Sequence, residues 1–429
     1  MTVTWDEEMT MDLRSAQQLA WDLAMPKGEE WVMLDHALGR VLAQPLVAAV
    51  DLPAEPRSRL DGYALRSSDV TGVSAEIPRE LRLAAGCSAA GHSIEHALAA
   101  GECLRILTGA PLPVMADAVV AQEDADLHGS ALTLRQPVSA GQWIMPQGAD
   151  VRAGEPVFTT GTVLTPSSLA MAAALGYAGL RVHRRPSVAL LATGDELMEL
   201  GEPRPGPHSY CNNRHLLAWM VRLQGGSSKH LGVAGDDPTE IAGRLAEADA
   251  DLVITTGGIG HGDRDFILQA WENLGVTVHF RQIYLSPGRH SAFGSINRRL
   301  FCALPGNPWA AQVVFSEIVA PILRRWQGLA LPEPVAVPAR LASPIQNQSG
   351  LHRAIRGALN NREGTWYFQP TRSQKVSMFA QLAASPAYAL IPPEIEEMSA
   401  GNIVRVGVFT LPLLSVALFE ESLVGPAVD

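Results

Sequence analysis

The sequence DLVITTGGIGHGDRD (251–265) decides the fold, because a short apolar run leads directly into glycines and acidic residues. Its first part, DLVITT, ends at two glycines, which is typical of a buried parallel strand that presents its backbone to a ligand. The segment that follows has apolar residues at helical spacing, so a helix amino end would face the same ligand and favour an anion. Four glycines would let main-chain N–H groups approach that anion without an intervening Cβ: Gly257, Gly258, Gly260 and Gly262.

Two aspartates, Asp263 and Asp265, lie beside this predicted anion site. Carboxylates next to an anion are expected mainly where a divalent cation lies between them, so the loop indicates a metal such as Mg²⁺. An ordinary glycine-rich turn with solvated carboxylates would have the same sequence, and this loop alone does not separate the two interpretations.

The composition excludes several classes of protein. The formal net charge of the 429 residues is −11, and the basic residues form no cluster larger than a local pair, so we expect no nucleic-acid surface. Four dispersed cysteines indicate free thiols in a reducing compartment. The acidic amino terminus does not resemble a signal peptide, and no apolar run reaches the 18 residues or so of a membrane span. We therefore expect a cytoplasmic protein.

Residues 187–327 alternate strand-like and helix-like segments, which predicts a doubly wound, mainly parallel α/β core domain. Short alternating runs on either side predict all-β modules, so the fold class is multidomain α/β plus all-β. Helical spacing predicts a helix over 11–24 that packs on the α/β domain, and a second helix over 31–43. The expected domains are an elongated linking domain (1–46 with 146–183), an inserted β module (47–145), the α/β domain (184–328) and a small C-terminal β domain (329–429).

Other segments converge on the same predicted sheet edge. LATGDEL (191–197) places Glu196 at the carboxyl end of the first strand, and a second acidic strand end strengthens the metal interpretation. Asp236 and Asp237 open a helix, where Asp237 is most simply an N-cap. LSPGRHSAFG (285–294) brings one cation, Arg289, towards the crevice. LPGNP (304–308) is a strand–helix junction whose amides could hold an anion, although a purely structural turn would look the same.

Taken in order, the motifs resemble those of the molybdopterin molybdenumtransferases, that is, the bacterial MoeA proteins and the gephyrin E domain. The resemblance covers about residues 13–410. The matching segments are DLPAEPRSRLDGYALR (51–66), RILTGAPLPVMADAVVAQED (105–124), QGADVRAGEPV (147–157), LLATGDEL (190–197), YCNNRHLL (210–217), GDDP (235–238), DLVITTGGIGHGDRDF (251–266), SPGRHSAFG (286–294) and LPGNPWAAQVVF (304–315).

This resemblance implies an enzyme that binds adenylylated molybdopterin, molybdate and Mg²⁺, and releases AMP as molybdenum enters the dithiolene. It implies catalytic roles for Asp61, Thr108, Asp150, Glu196 and Asp265. The implied metal ligands are Glu196, Asp263 and Asp265. The implied cofactor-binding residues are Gly257, Gly258, Gly260, Gly262, Asp236, Arg289, Pro305, Gly306, Asn307 and Pro308.

The chain departs from the family pattern at several positions. Ser286 and Gln282 stand where the family usually has lysines, and Arg289 replaces the second lysine of the same turn. Ala149 replaces a glutamate, and His290 replaces a proline. The glycine loop differs at 260–262, and RSQKVSMF (372–379) replaces a stretch rich in Gln, Gly and Ser.

These departures leave an alternative open: a non-catalytic relative that binds molybdopterin or finished cofactor and carries it to a target enzyme. A scaffold without any ligand would leave the glycine loops unexplained. The resemblance further implies a homodimer whose cleft includes residues of the partner, with a molybdopterin adenylyltransferase and a recipient molybdoenzyme as possible partners. The sequence does not distinguish molybdate from tungstate.

Overall fold

The computed structural model describes residues 9–92, 97–203, 206–259, 265–329, 336–347, 350–375 and 379–409. They separate into two compact units, which we describe in turn. The first comprises Met1–Trp31, Gly39–Ala43 and Arg181–Asp429, and the second comprises Val32–Leu38 and Gln44–Leu180. Among the described residues, no helix has the length and apolar character needed to cross a membrane.

The predicted amino-terminal helix is present as α1 (Leu13–Leu23), and a short strand, β1 (Thr10–Met11), precedes it. Asp12 caps the helix by accepting a hydrogen bond from the Ser15 N–H (3.0 Å). The buried face of α1, which includes Leu13 and Ala16, belongs to the same hydrophobic core as the strands of the α/β domain.

The helix predicted over 31–43 is wrong. This segment forms β2 (Glu29–Met33) and a 3₁₀ turn at Leu34–His36. Its backbone pairs with a distant part of the chain: the Leu34 N–H donates to the Ala178 carbonyl (3.1 Å). The partner lies about 140 residues away in the sequence, so the local helical spacing does not reveal this pairing.

The second unit is built around a six-stranded sheet whose strands lie in the order Ala118–Ala121, Gly62–Leu65, Glu102–Ile106, Arg79–Ser88, Ala131–Leu134 and Ala125–His128. Its helix α2 (Pro166–Ala174) begins at Thr165, which forms a capping box with Ser168. The division of this part of the chain into an inserted module and a linking domain stays a prediction. Its strands are β3 (Leu46–Val47), β4 (Arg57–Ser58), β5 (Gly62–Leu65), β6 (Arg79–Ser88), β7 (Glu102–Ile106), β8 (Ala118–Ala121), β9 (Ala125–His128), β10 (Ala131–Leu134), β11 (Ile144–Met145) and β12 (Pro156–Phe158).

The α/β domain of the first unit has the predicted doubly wound architecture. Before it, β13 (Gly179–His183) pairs with β2 in a separate two-stranded sheet. The strands of the domain are β14 (Ser187–Thr193), β15 (Leu197–Met198), β16 (Ser209–Tyr210), β17 (Ser227–Ala234), β18 (Leu252–Thr256), β19 (Thr277–Phe280), β20 (Gln282–Ile283), β21 (Leu285–Ser286), β22 (Ala292–Ile296) and β23 (Arg299–Leu304). Its helices are α3 (Asn213–Leu223), α4 (Pro238–Ala246), α5 (Phe266–Leu274), α6 (Pro308–Val314) and α7 (Ala320–Trp326), with a π-helical segment, Phe315–Val319, between the last two.

The main sheet of this domain has the order β17-β14-β18-β23-β22-β19. The first four strands are parallel, and β22 and β19 add an antiparallel edge. Apolar residues fill both faces: one core includes Ile254 and Trp309, and the other includes Val253 and Trp271. A parallel sheet covered on both faces presents the carboxyl ends of its strands at one edge, where ligands bind in such folds.

The C-terminal β domain is a closed barrel. Its elements are β24 (Ala336–Leu341), β25 (Ile345–Gln346), β26 (His352–Arg362), β27 (Thr365–Pro370), α8 (Phe379–Ala383), β28 (Ala387–Ile391), β29 (Glu397–Met398) and β30 (Ile403–Val408). Five strands form the closed ring β26-β27-β24-β30-β28, because β28 also pairs with β26. Strand β21 of the α/β domain pairs in parallel with β26, which extends the barrel sheet by one short strand.

Candidate functional site

The candidate site lies at the carboxyl edge of the parallel sheet. The adjacent strands β14, β18 and β23 end there at Thr193, Thr256 and Leu304. A cavity of about 240 Å³ opens between these ends and the start of α3, and it is lined by Glu196, Tyr210, Asn213, Gly257, Gly306 and other residues of the same loops. The fold therefore brings three sequence-predicted loops, 193–197, 256–259 and 305–308, to one cavity.

Gly257 and Gly258 have positive φ angles of 92° and 59°. A Cβ at Gly257 would lie 2.3 Å from the Thr193 carbonyl oxygen, and one at Gly258 would lie 2.6 Å from the Thr193 hydroxyl oxygen. Both glycines are thus required by the contact between neighbouring strand ends, in addition to the ligand approach that the sequence suggested. Gly260 and Gly262 lie outside the described residues.

A buried amide connects the loops. Asn213, at the start of α3, donates through Nδ2 to the Thr256 hydroxyl (3.0 Å) and to the Gly306 carbonyl (2.7 Å). The Thr256 hydroxyl donates in turn to the Pro305 carbonyl (3.2 Å). Sequence analysis did not single out Asn213, although it lies in the YCNNRHLL motif; an asparagine near a helix start is most simply explained as a cap.

The LPGNP loop is held by its own side chains as well. Asn307 caps α6 by accepting from the Trp309 and Ala310 N–H groups (3.0 and 3.2 Å), and Pro308 occupies the first helical position. A Cβ on Gly306 would lie 3.5 Å from the Gly257 Cα. Asn307 therefore accepts hydrogen bonds from two amides at this helix end. This matches the structural turn that the sequence left open as an alternative to anion binding.

Glu196 lines the cavity, and further carboxylates lie in the neighbouring loops. Glu196 is exposed and lies against Gly194, where a Cβ would come within 2.6 Å of its Oε2. Asp195 accepts a hydrogen bond from the Asp236 N–H (3.0 Å), which joins the ends of β14 and β17. Asp237 caps α4 by accepting from the Thr239 N–H (2.8 Å), as the sequence predicted.

Asp265 begins α5 and accepts a hydrogen bond from the Leu268 N–H (3.3 Å). Arg281 interacts electrostatically with it: burial lowers the pKa of Arg281, and the charges of Asp265 and Glu272 oppose that shift. Asp263, the third proposed metal ligand, lies outside the described residues. Within the described parts of the chain, no three His, Cys, Asp or Glu side chains form a cluster that could hold a metal ion.

In the second unit, the structure brings Asp61 and Thr108 together. The Asp61 carboxylate accepts from both the backbone N–H and the hydroxyl of Thr108, each at 2.7 Å. The Thr108 hydroxyl, followed by its backbone N–H, lowers the pKa of this exposed carboxylate. Gly62 is required beside it, because a Cβ there would overlap the Val120 carbonyl. Asp150 is exposed, and its N–H donates to the Leu52 carbonyl (2.9 Å).

Comparison with known proteins matches successive parts of the chain to the MoeA N-terminal region (domain I and II, residues 7–176), a domain described as "Probable molybdopterin binding domain" (189–325) and the MoeA C-terminal region (domain IV, 338–409). The molybdopterin molybdenumtransferase of Haemophilus influenzae is 31% identical over 407 residues, which are 94% of this chain and 98% of that protein. The enzyme of the same name from Nostoc sp. is 32% identical over 88% of each chain. The chain belongs to the molybdopterin molybdenumtransferase family.

Solved structures of this family have the same fold. The molybdopterin biosynthesis MoeA protein from Pyrococcus horikoshii OT3 is 29% identical and superposes with a TM-score of 0.78 over 93% of this chain and all of the other. Another Pyrococcus MoeA structure, 26% identical, gives a TM-score of 0.83 over 94% and 99% of the two chains. The fold predicted from the resemblance is therefore confirmed along nearly the whole molybdenumtransferase chain.

The turn that departs from the family pattern has a defined arrangement in this molybdenumtransferase. Gln282 belongs to β20 and pairs with Thr10 of β1. Its side-chain oxygen accepts a hydrogen bond from the Nε of Arg289 (3.0 Å), so the two side chains at these family lysine positions contact each other. Ser286, in β21, lies opposite Arg353 of the barrel.

Proposed function

We propose that this chain inserts molybdenum, supplied as molybdate, into adenylylated molybdopterin and releases AMP. Family membership makes it a molybdopterin molybdenumtransferase of molybdenum cofactor biosynthesis. The single observation that supports this chemistry best is the cavity at the carboxyl edge of the sheet, because it joins glycine loops, helix starts and the carboxylate of Glu196.

The reaction balances without a redox partner. The two thiols of the dithiolene displace one oxo group of molybdate, which leaves with the thiol protons as water, and molybdenum stays hexavalent. One water is consumed when the phosphoanhydride is cleaved and AMP leaves. The protein therefore has to bind two anions close together and to stabilise the charge that develops as the phosphoanhydride breaks.

The described residues fit this task in part. Glu196 lies at the cavity, and Asp265 lies at the start of α5 beside the glycine loop. Asp61 accepts two hydrogen bonds from Thr108, which lower its pKa and orient a carboxylate that could position a cation or a water. We propose these residues, with Asp150, as the catalytic set, and Asp236, Arg289 and the glycine and LPGNP loops as the binding set.

Mg²⁺ fits the donor chemistry of this site. Magnesium usually keeps several waters and binds through one or two carboxylates together with substrate phosphates, so no cluster of three protein ligands is needed. Glu196 and Asp265 are the described residues that would hold it, with Asp263 as the third proposed ligand. When bound, it would offset the phosphate charge.

We also propose that the chain acts as a homodimer in the cytoplasm and that it exchanges cofactor with a molybdopterin adenylyltransferase and a recipient molybdoenzyme. All four cysteines are free thiols, which supports a reducing compartment. The alternative, a non-catalytic cofactor carrier, is favoured by one observation: Gln282 and Arg289 contact each other where the family has lysines.

One experiment separates the two functions. The purified chain is loaded with adenylylated molybdopterin and Mg²⁺, and AMP is measured before and after molybdate is added. We expect molybdate-dependent AMP release, and we expect Glu196→Gln to abolish it with an unchanged melting temperature. Retention of the adenylylated ligand with no AMP release by the parent protein would favour the carrier.

A further inference from the structure

A short two-stranded ribbon in the second unit has one buried face and one open face. In the antiparallel pair β4–β11, Ser58 lies opposite Ile144, and Arg57 lies opposite Met145. Ser58 is buried and Ile144 packs on a small core of this unit, so their face of the ribbon points inward. The outer face carries the half-buried Arg57 and the exposed Met145.

The outer face continues by one residue on each strand, to Arg59 and Trp143. The Arg59 N–H donates to the Trp143 carbonyl (2.9 Å), and both side chains are exposed. Trp143 leaves 47% of its surface accessible to solvent. Neither Arg57 nor Arg59 forms a salt bridge within the part of the chain that the structure describes. An indole and two guanidinium groups therefore share one surface in a chain whose net charge is −11.

The backbone of Trp143 lies in the left-handed region, with a φ of 55°. This region is unfavourable for a bulky aromatic residue and is tolerated best by glycine and asparagine. Hydrogen bonds on both sides fix the conformation: the Gln142 carbonyl accepts from the Val119 N–H (3.0 Å), and the Ile144 N–H donates to the Gly141 carbonyl (3.3 Å). Residues held in such conformations cluster at ligand-binding sites. Packing in a core does not explain an exposed indole at this position, whereas a bound ligand does.

The ribbon lies beside the Asp61–Thr108 pair. The N–H of Gly109, which follows Thr108, donates to the Ser58 carbonyl (2.8 Å). Asp61 follows Arg59 by two residues. A ligand on the outer face of the ribbon would therefore lie next to a carboxylate of the proposed catalytic set.

The charge of Asp61 does not by itself exclude an anion from this surface. Arg105 is a third cation near Asp61, because its Nη1 donates to the carbonyl of the adjacent Gly62 (3.4 Å). With Arg57 and Arg59, three guanidinium groups accompany this carboxylate, so they favour an anionic ligand. Guanidinium groups match the oxygens of a phosphate, and indole rings stack on nucleobases. A phosphate and a base are the two parts of a nucleotide that such a surface would recognise.

We propose that the outer face of this ribbon binds the adenylate half of the substrate, with Trp143 stacking on the adenine ring and Arg59 binding the phosphate. Arg57 is the second cation of this nucleotide subsite, and Met145 lies beside it. The inference rests on the proposed function, because it assigns the surface to the AMP that leaves in that reaction. It goes further by giving the second unit a nucleotide-binding role of its own.

The test is calorimetric titration of the full chain with AMP and, separately, with a simple pterin. Trp143→Asn removes the ring and introduces a residue that tolerates the left-handed region. It should weaken AMP binding about 5- to 100-fold, the range expected for a lost stacking contact, without lowering the melting temperature. Trp143→Phe keeps a ring and should retain most of the affinity.

The two residues should differ in their response to salt. Arg59→Gln should weaken AMP binding about 10- to 100-fold, as expected for a lost charge-assisted hydrogen bond. It should also reduce the dependence of the affinity on ionic strength, whereas Trp143→Asn should leave that dependence unchanged. Trp31→Asn is the matched control, because Trp31 is 52% exposed but belongs to the other compact unit. This control should leave AMP binding unchanged.

Equal AMP affinity in the parent and Trp143→Asn would overturn the proposal, as would a parent that binds no AMP at millimolar concentration. Weakened binding of the pterin in Trp143→Asn, with AMP binding unchanged, would overturn the assignment to the adenylate. Release of AMP on addition of molybdate is measured separately. A parent that binds AMP through Trp143 but releases none contradicts the proposed function and leaves this subsite supported. A parent that releases AMP while Trp143→Asn keeps full AMP affinity contradicts the subsite alone.

Discussion

At the residue scale, Asp61 shows how one neighbouring residue lowers the pKa of a carboxylate. Thr108 donates both its N–H and its hydroxyl to Asp61 and lowers its pKa. In Thr108→Val, the hydroxyl is lost and the backbone N–H remains, so we expect the pKa of Asp61 to rise part of the way to its ordinary value. Carboxyl ¹³C NMR titration of aspartate-labelled protein measures this, with Asp61→Asn to assign the signal. An unchanged pKa in Thr108→Val would contradict the assigned role of the hydroxyl.

Asn213 is the residue at which sequence reasoning failed for a physical reason. Its side chain bonds Thr256 and Gly306, which are 43 and 93 positions further along the chain. Local patterns do not show such pairings, whereas the glycines at 257 and 258 were recognisable because they follow an apolar strand directly. Replacing Asn213 with Ala should leave the buried Thr256 hydroxyl and the Gly306 carbonyl without this donor and destabilise the protein by about 1–3 kcal/mol in urea unfolding. A cost below about 0.5 kcal/mol would show that these bonds contribute little.

At the scale of elements, a helix begins at LPGNP as the sequence predicted, but its interior is irregular. Residues Phe315–Val319 are π-helical, and the Ala320 N–H donates to the Phe315 carbonyl. Pro321 has no N–H for the carbonyl four residues earlier, at Glu317. The Gln17 amide of α1 supplies the missing donor (3.2 Å) and also donates to the Glu317 carboxylate (2.7 Å). The start of the helix was recognisable from the local sequence, but the donor that satisfies the Glu317 carbonyl lies 300 positions away.

Gln17 therefore joins α1 to this helix, and its loss has a clear expected effect. Gln17→Ala leaves a buried carbonyl and a buried carboxylate each short of one donor, so we expect a loss of about 1–3 kcal/mol in the free energy of unfolding. Gln18→Ala is the matched control, because Gln18 is exposed and its side-chain hydrogen bond among the described residues is to Asp22 on its own helix. This variant should change stability by less than about 0.5 kcal/mol. Urea unfolding of both variants makes the comparison, and equal effects would rule out the proposed link.

Glu317 also gives this helix a predictable pH dependence. It is fully buried and accepts a hydrogen bond from the Tyr388 hydroxyl of the barrel. Burial raises the pKa of Glu317. The charge of Arg405 and the hydrogen bonds that Glu317 accepts oppose this shift only in part. A carboxyl whose folded pKa is raised contributes stability that is fully present below its unfolded pKa and is lost as the pH rises through the folded value. Stability of Glu317→Gln relative to the parent should therefore increase from pH 4 to pH 8 in urea unfolding; a constant difference would contradict the raised pKa.

At the scale of the whole molecule, the sequence predicted a multidomain architecture well, because each domain carries its own local pattern. Strand–helix alternation marked the α/β domain, and short alternating runs marked the β domains. Local patterns do not predict how the proposed catalytic residues are arranged, because Asp61 and Thr108 belong to one compact unit and Glu196 and Asp265 belong to the other. The resemblance to the family implies that a partner subunit contributes to the cleft, and that implication can be tested directly.

If each cleft combines Asp61 of one subunit with Glu196 of its partner, two inactive variants should complement each other. Asp61→Asn and Glu196→Gln homodimers should both fail to release AMP. After unfolding and refolding an equal mixture, half of the dimers are mixed and each has one intact cleft of two, so about a quarter of the parent activity should return. If both residues act from the same subunit, every cleft in the mixture carries a lesion and no activity returns. Light scattering at micromolar concentration checks the premise, and a monomer would exclude a shared cleft.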